Sequence, residues 1–422
     1  MNILVIHQYF LEKNDGGGSR FNEMTRLWAA EGHQITVLAG MVHYATGKKQ
    51  ERYKGKWTYV EDYEAGVIVV RSHVSEAYNV NFLGRLWGYF SFVFSSVYAG
   101  LFKAKSPFDI IIVTSPPLFV GITAYVLSKI KRIPFVFEVR DLWPESAIDT
   151  GVLKNKLIIN MAYWFEAFIY RKAKLINVLT PAFRDKLIQT KKVPADKVLY
   201  IPNAADFSLS TELQLSFDRE AFRRVHGLDG KMVLIYVGAH GIANHLIQVV
   251  ETADILRGHS DILFLLIGNG MDKPLLIEEA QKRGLQNIHF IDSVAKTEVF
   301  KYILASDIGL SVLKKVETFK TVLSNKTFDY MACRKPTLMV IDGVSRQLVE
   351  EAQCGIFVEP ENPADFAQKV LAYWKDGKTR WEKEGENGYQ YAKAHFDRQV
   401  LANQYIEALS SLISKKPTGS KP

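Results

Sequence analysis

The chain predicts an α/β protein made of two doubly wound parallel sheets, and three observations carry that prediction. At 422 residues it exceeds what one core supports, since single cores stop growing near ~250–300 residues. Short continuous apolar, β-branched runs alternate with amphipathic stretches along its length, the mark of strands buried on both faces. The same alternation begins again at Met232, after a lapse over Ile201–Phe217. A composition of 48% hydrophobic and 23% charged residues excludes a disordered chain.

In the first half, Ile3–Ile6 reads as a buried strand. Phe21–Glu31 follows as a helix, with Phe21, Met24, Leu27 and Trp28 on one face and Gly32-His33 stopping it. Ile35–Leu38, Val67–Val70, Ile110–Val113, Phe135–Val139 and Leu175–Leu179 are further strands. In the second half the strands are Val233–Val237, Leu263–Ile267, Ile288–Phe290, Ile308–Val312 and Thr337–Ile341. Each half is therefore Rossmann-like, with domains at 1–205 and 206–394 and a mobile polar tail at 414–422.

The net charge is +8, and all of the excess falls on the first half. Residues 1–205 hold 26 Lys/Arg against 17 Asp/Glu, and the remainder holds 27 against 28. Such asymmetry suits an anionic partner or simply a solvated, soluble surface. No nucleic-acid module accompanies it, so a lipid surface is favoured over nucleic acid. Leu86–Phe102 carries no charge and is rich in aromatics, between Arg85 and Lys103. It reads as an interfacial helix dipping into a membrane, with a full span or an ordinary buried helix as the other readings. Cys333 and Cys354 make no disulfide framework, and MNILVIHQYF lacks a signal-peptide pattern. A cytoplasmic protein held at the inner face of the membrane is expected.

Several loops could carry chemistry. Asn14–Arg20 (NDGGGSR) follows the first strand and opens a helix, so Gly17 and Gly18 allow a phosphate to approach backbone N–H groups. The bland alternative is a flexible connection that needs φ > 0. Gly238-Ala239-His240-Gly241 and Gly268-Asn269-Gly270 both follow strands, where parallel sheets bind ligands. In LSNKTFDYM, Ser324 can cap a helix while Asn325 and Lys326 occupy its positive end. Lys326 can then neutralise a diphosphate as a point charge, and Asp329, one turn on, can accept from ribose hydroxyls. The bland alternative is a capped, solvated helix start. Glu138, Arg140, Asp141 and Glu145 crowd the loop after Phe135–Val139, a functional cluster or a charged surface loop. No D-x-D, Walker A or C-x-x-C occurs, so metal chemistry is not expected.

Together, GGGSRFNEMTRLWAAEGHQITVL, FEVRDLWPES, IPNAAD and the run from SNKTFDYMACRKP to GIFVEPENP resemble the retaining glycosyltransferases of family 4. The closest subgroup serves bacterial O-antigen and capsule assembly. The resemblance implies a GT-B fold, with two Rossmann-like domains facing across a cleft. It implies a nucleotide diphosphate sugar donor, UDP favoured, as co-substrate, with no cofactor and no metal. By the same analogy Gly17, Gly18, Gly241, Ser324, Asn325 and Lys326 hold the donor phosphates. Asp329, Gly268, Ile291 and Ser293 take the ribose and base. Asp141 orients the acceptor hydroxyl, with Arg20, Glu138, Arg140 and Glu145 on the acceptor side. A helix at 395–412 crosses back to the first domain. The basic first half and the aromatic 86–102 segment suggest, beside the resemblance, a lipid-linked acceptor such as a polyprenyl-diphosphate-linked sugar at an anionic inner-membrane surface.

Two positions depart from the family pattern. The usual Glu-x7-Glu pair is Thr321 and Asp329 here, and Gly241–His245 replaces the common Arg and Lys. A sugar-nucleotide epimerase and a non-catalytic nucleotide-sugar-binding assembly protein are the alternative readings.

Overall fold

The structure is a computed structural model describing residues 1–13, 20–43, 47–79, 82–105 and 107–414. Two compact units emerge. The first comprises residues 1–13, 20–202 and 399–414, and the second residues 203–398.

The first unit carries eight strands: β1 (Asn2–Ile6), β2 (Gln34–Gly40), β3 (Thr58–Glu64), β4 (Val67–Ser72), β5 (Ile110–Ser115), β6 (Phe135–Val139), β7 (Leu175–Val178) and β8 (Val198–Tyr200). Their order is β3-β4-β2-β1-β5-β6-β7-β8, and all but β3 run parallel. An all-parallel sheet was expected, and β3 corrects it. The segment TYVEDYE escapes detection because it is an edge strand whose charges discourage pairing with another chain. The helices that bear on function are α1 (Arg20–Ala30), α2 (Phe82–Phe102), α3 (Val120–Lys131), α4 (Glu145–Asp149) and α5 (Lys156–Lys172).

Helix α2 divides into two faces. Phe92, Val93, Ser95, Ser96 and Ala99 are buried, with Ser95 Oγ donating to His73 O at 2.6 Å and Ser96 Oγ 2.9 Å from Thr123 Oγ1. Trp87, Phe94, Tyr98 and Phe102 stay exposed. Among the described residues no helix is long and apolar enough to cross a membrane, which removes the full-span reading.

The second unit carries β9 (Met232–Val237), β10 (Ile262–Ile267), β11 (Ile288–Ile291), β12 (Ile308–Val312), β13 (Thr337–Val340) and β14 (Gly355–Phe357). Their order, β11-β10-β9-β12-β13-β14, is wholly parallel and reverses between β9 and β12. Such a reversal opens a crevice at the carboxyl ends of the two strands. The lapse expected over Ile201–Phe217 contains a helix instead, Phe207–Ser216, capped by Asp206. Its sequence FSLSTELQLS places apolar residues nearly every second position, which disguises the helical period.

The last helix is Arg398–Ser414, whereas His395 closes the helix before it. Trp28 Nε1 donates to Ala402 O at 3.0 Å, and the rings of Trp28 and Tyr405 meet edge to face, anchoring this helix in the first unit. Ser414 thus ends a helix rather than beginning a tail, and 415–422 lie outside the described residues.

Candidate functional site

In the second unit, the ends of β9 and β10 and the helix Asn325–Ala332 that follows β12 converge. Gly238 and Gly268 have φ of +145° and +148°, values that L side chains rarely adopt. A Cβ on Gly268 would collide with the Gly238 carbonyl, and one on Gly270 with the backbone of His240. Only glycine lets these loops close so tightly. A Cβ on Gly238 would also stand 3.3 Å from Cε of Lys326, so the lysine stem lies directly on this turn.

The Lys326 ammonium sits 4.9 Å over the Tyr236 ring and 3.4 Å from Ser324 Oγ. Desolvation lowers its pKa to about 8, and the negative charge of Asp329 acts in the opposite sense. Ser324 was expected to cap the helix. It stands at the cap position, but its side chain makes no cap bond and turns towards Lys326. The helix therefore presents its positive end beside the ammonium group, the setting that favours an anion. Asn325 is exposed and Asp329 partly so. Gly241 opens a short 3-10 turn onto free space. Ile291 ends β11 in register with Ile267, and Ser293 lies exposed just beyond. Thr321 bonds the Thr318 carbonyl locally.

Sequence reasoning missed two participants. Lys273 Nζ gathers Gly268 O, Ile291 O, Asn269 Oδ1 and Asp292 Oδ1 within 2.7–3.1 Å, pinning the β10 loop to the end of β11. Its position three residues after the Gly-Asn-Gly turn was the available signal. Tyr236 lies on a strand that reads as uniformly apolar, and its hydroxyl donates to Ala239 O. His240 is fully buried with neither ring nitrogen partnered among the described residues. Burial, aided by the Lys273 charge, lowers its pKa to about 4, so the ring is neutral at physiological pH.

In the first unit, the loop after β6 holds Asp141. Ser146 Oγ donates to Asp141 Oδ2 at 2.6 Å. Burial nevertheless raises its pKa, with Glu145 adding to the rise and the bonds from Ser146 and the Leu142 N–H opposing it. Glu145 itself pairs with Lys191 at 2.8 Å. Lys191 also bridges both oxygens of the buried Glu166 at 2.6 and 2.7 Å. Burial outweighs this pairing and raises the Glu166 pKa to about 7. Neither Lys191 nor Glu166 carries a motif, and only the fold brings them to the loop. Arg140 Nη1 lies 3.4 Å from Nε2 of the buried His7.

Arg20 and Glu138, expected on the acceptor side, are fully enclosed. Arg20 is 3% and Glu138 0% exposed, and they pair with each other through two bonds. Asn177 Nδ2 supplies a third bond to Glu138 at 2.9 Å, and Arg20 donates to the carbonyls of Ile201 and Pro202. Every polar atom is engaged inside the unit, so neither side chain is presented to a ligand. Gly17 and Gly18 lie outside the described residues. Among the described residues no group of three His, Cys, Asp or Glu side chains could hold a metal ion.

Comparison with known proteins covers both units. The family described as glycosyl transferase 4-like domain matches residues 15–204, and glycosyl transferases group 1 matches residues 218–391. The colanic acid biosynthesis glycosyl transferase WcaI of Escherichia coli K12 is 25% identical over 417 residues, covering 96% of this chain and 99% of its own. Among solved structures, sucrose-phosphate synthase of Thermosynechococcus elongatus aligns with a TM-score of 0.73 at 14% identity, over 98% and 99% of the two chains. HepE of Anabaena, in complex with UDP and glucose, aligns at 0.70 and 16% identity, over 97% and 100%. The fold is that of the GT-B class.

Proposed function

We propose, from the premise that the chain belongs to the glycosyltransferase 4 family and is a glycosyltransferase, that it moves a sugar from UDP-sugar to a lipid-linked saccharide in bacterial surface polysaccharide synthesis. The anomeric configuration is retained and no metal is required. The observation that carries this reading is the cradle in the second unit: the Gly238 and Gly268 turns, the Lys326 ammonium and the uncapped helix start at Asn325. Ser324, Asn325, Lys326 and Gly241 hold the diphosphate. Asp329, Gly268, Ile291 and Ser293 receive the ribose and base.

The chemical problem is the negative charge that grows on the departing diphosphate as the bond to the anomeric carbon breaks. A fixed cation and a helix amide end stabilise that charge without reorganising, the electrostatic form of catalysis. The acceptor hydroxyl bonds to the anomeric carbon on the face the diphosphate leaves, and its proton passes to a donor phosphate oxygen. Asp141, held by Ser146, orients that hydroxyl. Two likenesses support the finer points: HepE is seen with UDP and glucose, and WcaI is named for colanic acid biosynthesis. The excess of positive charge in residues 1–205 and the exposed aromatics of α2 support association with an anionic membrane and a lipid-linked acceptor.

Thermal unfolding with UDP, GDP and NAD at equal concentration is the first test. A ligand at 100 times its Kd adds about 2.7 kcal/mol, and UDP alone should do so. Stabilisation by NAD alone would overturn the reading. Radiolabelled UDP-sugar should then label a polyprenyl-diphosphate sugar in membranes, with NMR reporting a retained anomeric centre. Interconversion of free UDP-sugars without acceptor would identify an epimerase instead, and binding without turnover an assembly protein.

A further inference from the structure

Phe119 lies just ahead of α3, at the junction of three separate parts of the first unit. Its ring is 6.0 and 5.0 Å from Tyr89 and Phe90 of α2, 5.8 Å from Trp143 of the Asp141 loop, and stacked at 5.8 Å on Phe165 of α5. Aromatic rings that serve only as core in this unit, such as Phe92 and Phe137, are fully buried. All five members of the Phe119 cluster instead remain partly exposed.

By helical spacing the cluster runs on into a wider apolar surface, since Phe90 lies one turn from Trp87 and Phe94 on α2 and Phe165 one turn from Met161 on α5. Trp87, Phe94, Tyr98 and Phe102 form an exposed stripe along α2, and Leu157, Met161 and Trp164 form another along α5 at helical spacing. Exposed lysines stand at the ends of these helices, namely Lys103 and Lys105 after α2 and Lys156 and Lys172 on α5, and Lys129 is exposed in the last turn of α3. An apolar surface rimmed by cations matches a molecule with a hydrocarbon body and a phosphate head. Its inner end reaches the catalytic loop, because Trp143 stands two residues from Asp141 and its N–H bonds the Asp141 carbonyl at 3.0 Å.

From this continuity we infer that Tyr89, Phe90, Phe119, Trp143 and Phe165 form a binding site for a prenyl chain, taking the isoprene units next to the diphosphate of the lipid-linked acceptor. The inference rests on the acceptor proposed above. It adds that the lipid is recognised by the protein rather than only by the bilayer, and that α5 shares the surface with α2. Branched, unsaturated isoprene units pack against ring faces and edges, and the chain leads its sugar towards Asp141. Phe119 is the organising ring, since it alone contacts all four others.

The test is photolabelling of the full chain with a benzophenone-bearing farnesyl diphosphate, with labelled peptides mapped by mass spectrometry. Label should fall on peptides carrying Phe90, Phe119, Trp143 or Phe165. Undecaprenyl diphosphate should compete with it, and phosphatidylglycerol vesicles at equal phosphate should not. Phe119→Ala should weaken labelling about tenfold, a loss of one anchoring contact. Phe119→Leu, which keeps an apolar side chain, should retain most of it, and an unchanged UDP-induced thermal shift in both variants reports an intact fold. Label elsewhere, equal competition by phosphatidylglycerol, or wild-type labelling in a folded Phe119→Ala would overturn the inference. Sugar transfer to a polyprenyl acceptor with no label on the cluster would overturn it alone. Label on the cluster with no sugar transfer would overturn the proposed acceptor and leave the prenyl site standing.

Discussion

Arg20 and Glu138 face each other across 118 residues of sequence in a fully buried, two-pronged ion pair, Nε to Oε1 at 3.0 Å and Nη2 to Oε2 at 3.2 Å. The pair ties the start of α1 to the middle of the sheet on β6. Through the Arg20 bonds to the Ile201 and Pro202 carbonyls, it also fixes the end of the unit's main segment. Removing one partner strands a charge in a dry interior. Glu138→Ala or Arg20→Ala should therefore cost about 3–5 kcal/mol of stability, measured by urea unfolding. A loss below 1 kcal/mol, with activity gone, would restore these residues to the acceptor site.

Lys326 should carry the donor chemistry. Lys326→Ala should reduce sugar transfer by about 10²–10³ with the melting temperature preserved, as for loss of one preorganised charge partner. Full activity would remove Lys326 from its proposed role.

The same lysine predicts opposite pH trends for binding and stability. Its folded pKa is about 8, against an ordinary 10.5. UDP affinity should fall as pH rises through about 8, because the ammonium charge is lost. Between 8 and 10.5 the unfolded state binds more protons, so the lysine's contribution to stability rises with pH across that window. Lys335 shifts in the same direction to about 8, so the difference between wild type and Lys326→Met isolates the effect. Calorimetric UDP titrations and urea midpoints at pH 7, 8 and 9.5 would check both slopes.

Asp141 predicts a shift of the acid limb. Ser146 donates to its ionised form, so Ser146→Ala should raise its pKa further. The acid side of the rate profile should then move to higher pH while UDP affinity stays constant. An unmoved profile would detach Asp141 from the rate-limiting ionisation.

Glu166 offers a check confined to stability. Its folded pKa is about 7 against an ordinary 4.5. Between these values the folded state binds more protons, so its contribution to stability falls as pH rises from 4.5 to 7. Glu166→Gln should flatten that slope in urea unfolding at pH 5 and 7. An unchanged slope would assign the dependence to other groups.

Much of the fold was legible in local sequence. Strands buried on both faces leave uninterrupted apolar runs, so Phe135–Val139 and Ile308–Val312 were placed to the residue. Of the four edge strands only β11 left such a trace. β3 exposes one side and carries charge, while β8 and β14, three residues each, are too short to show any pattern. The glycines at 238 and 268 stood out because backbone at such positive φ favours one residue type, and Lys326 because it falls in the first turn of a helix.

The sequence by itself determined the alternation of strands and helices, the uneven charge and the loops able to approach an anion, since these are properties of neighbouring residues. Only the tertiary structure decided which charges are available. Arg20 and Glu138 resembled site residues until burial showed them satisfying each other, and Lys191 and Glu166, which carry no motif, reach the Asp141 loop only through the fold. Phe119 likewise gains its place from rings on three distant segments. Desolvation and pairing depend on neighbours supplied by long-range packing, and no local spacing encodes them.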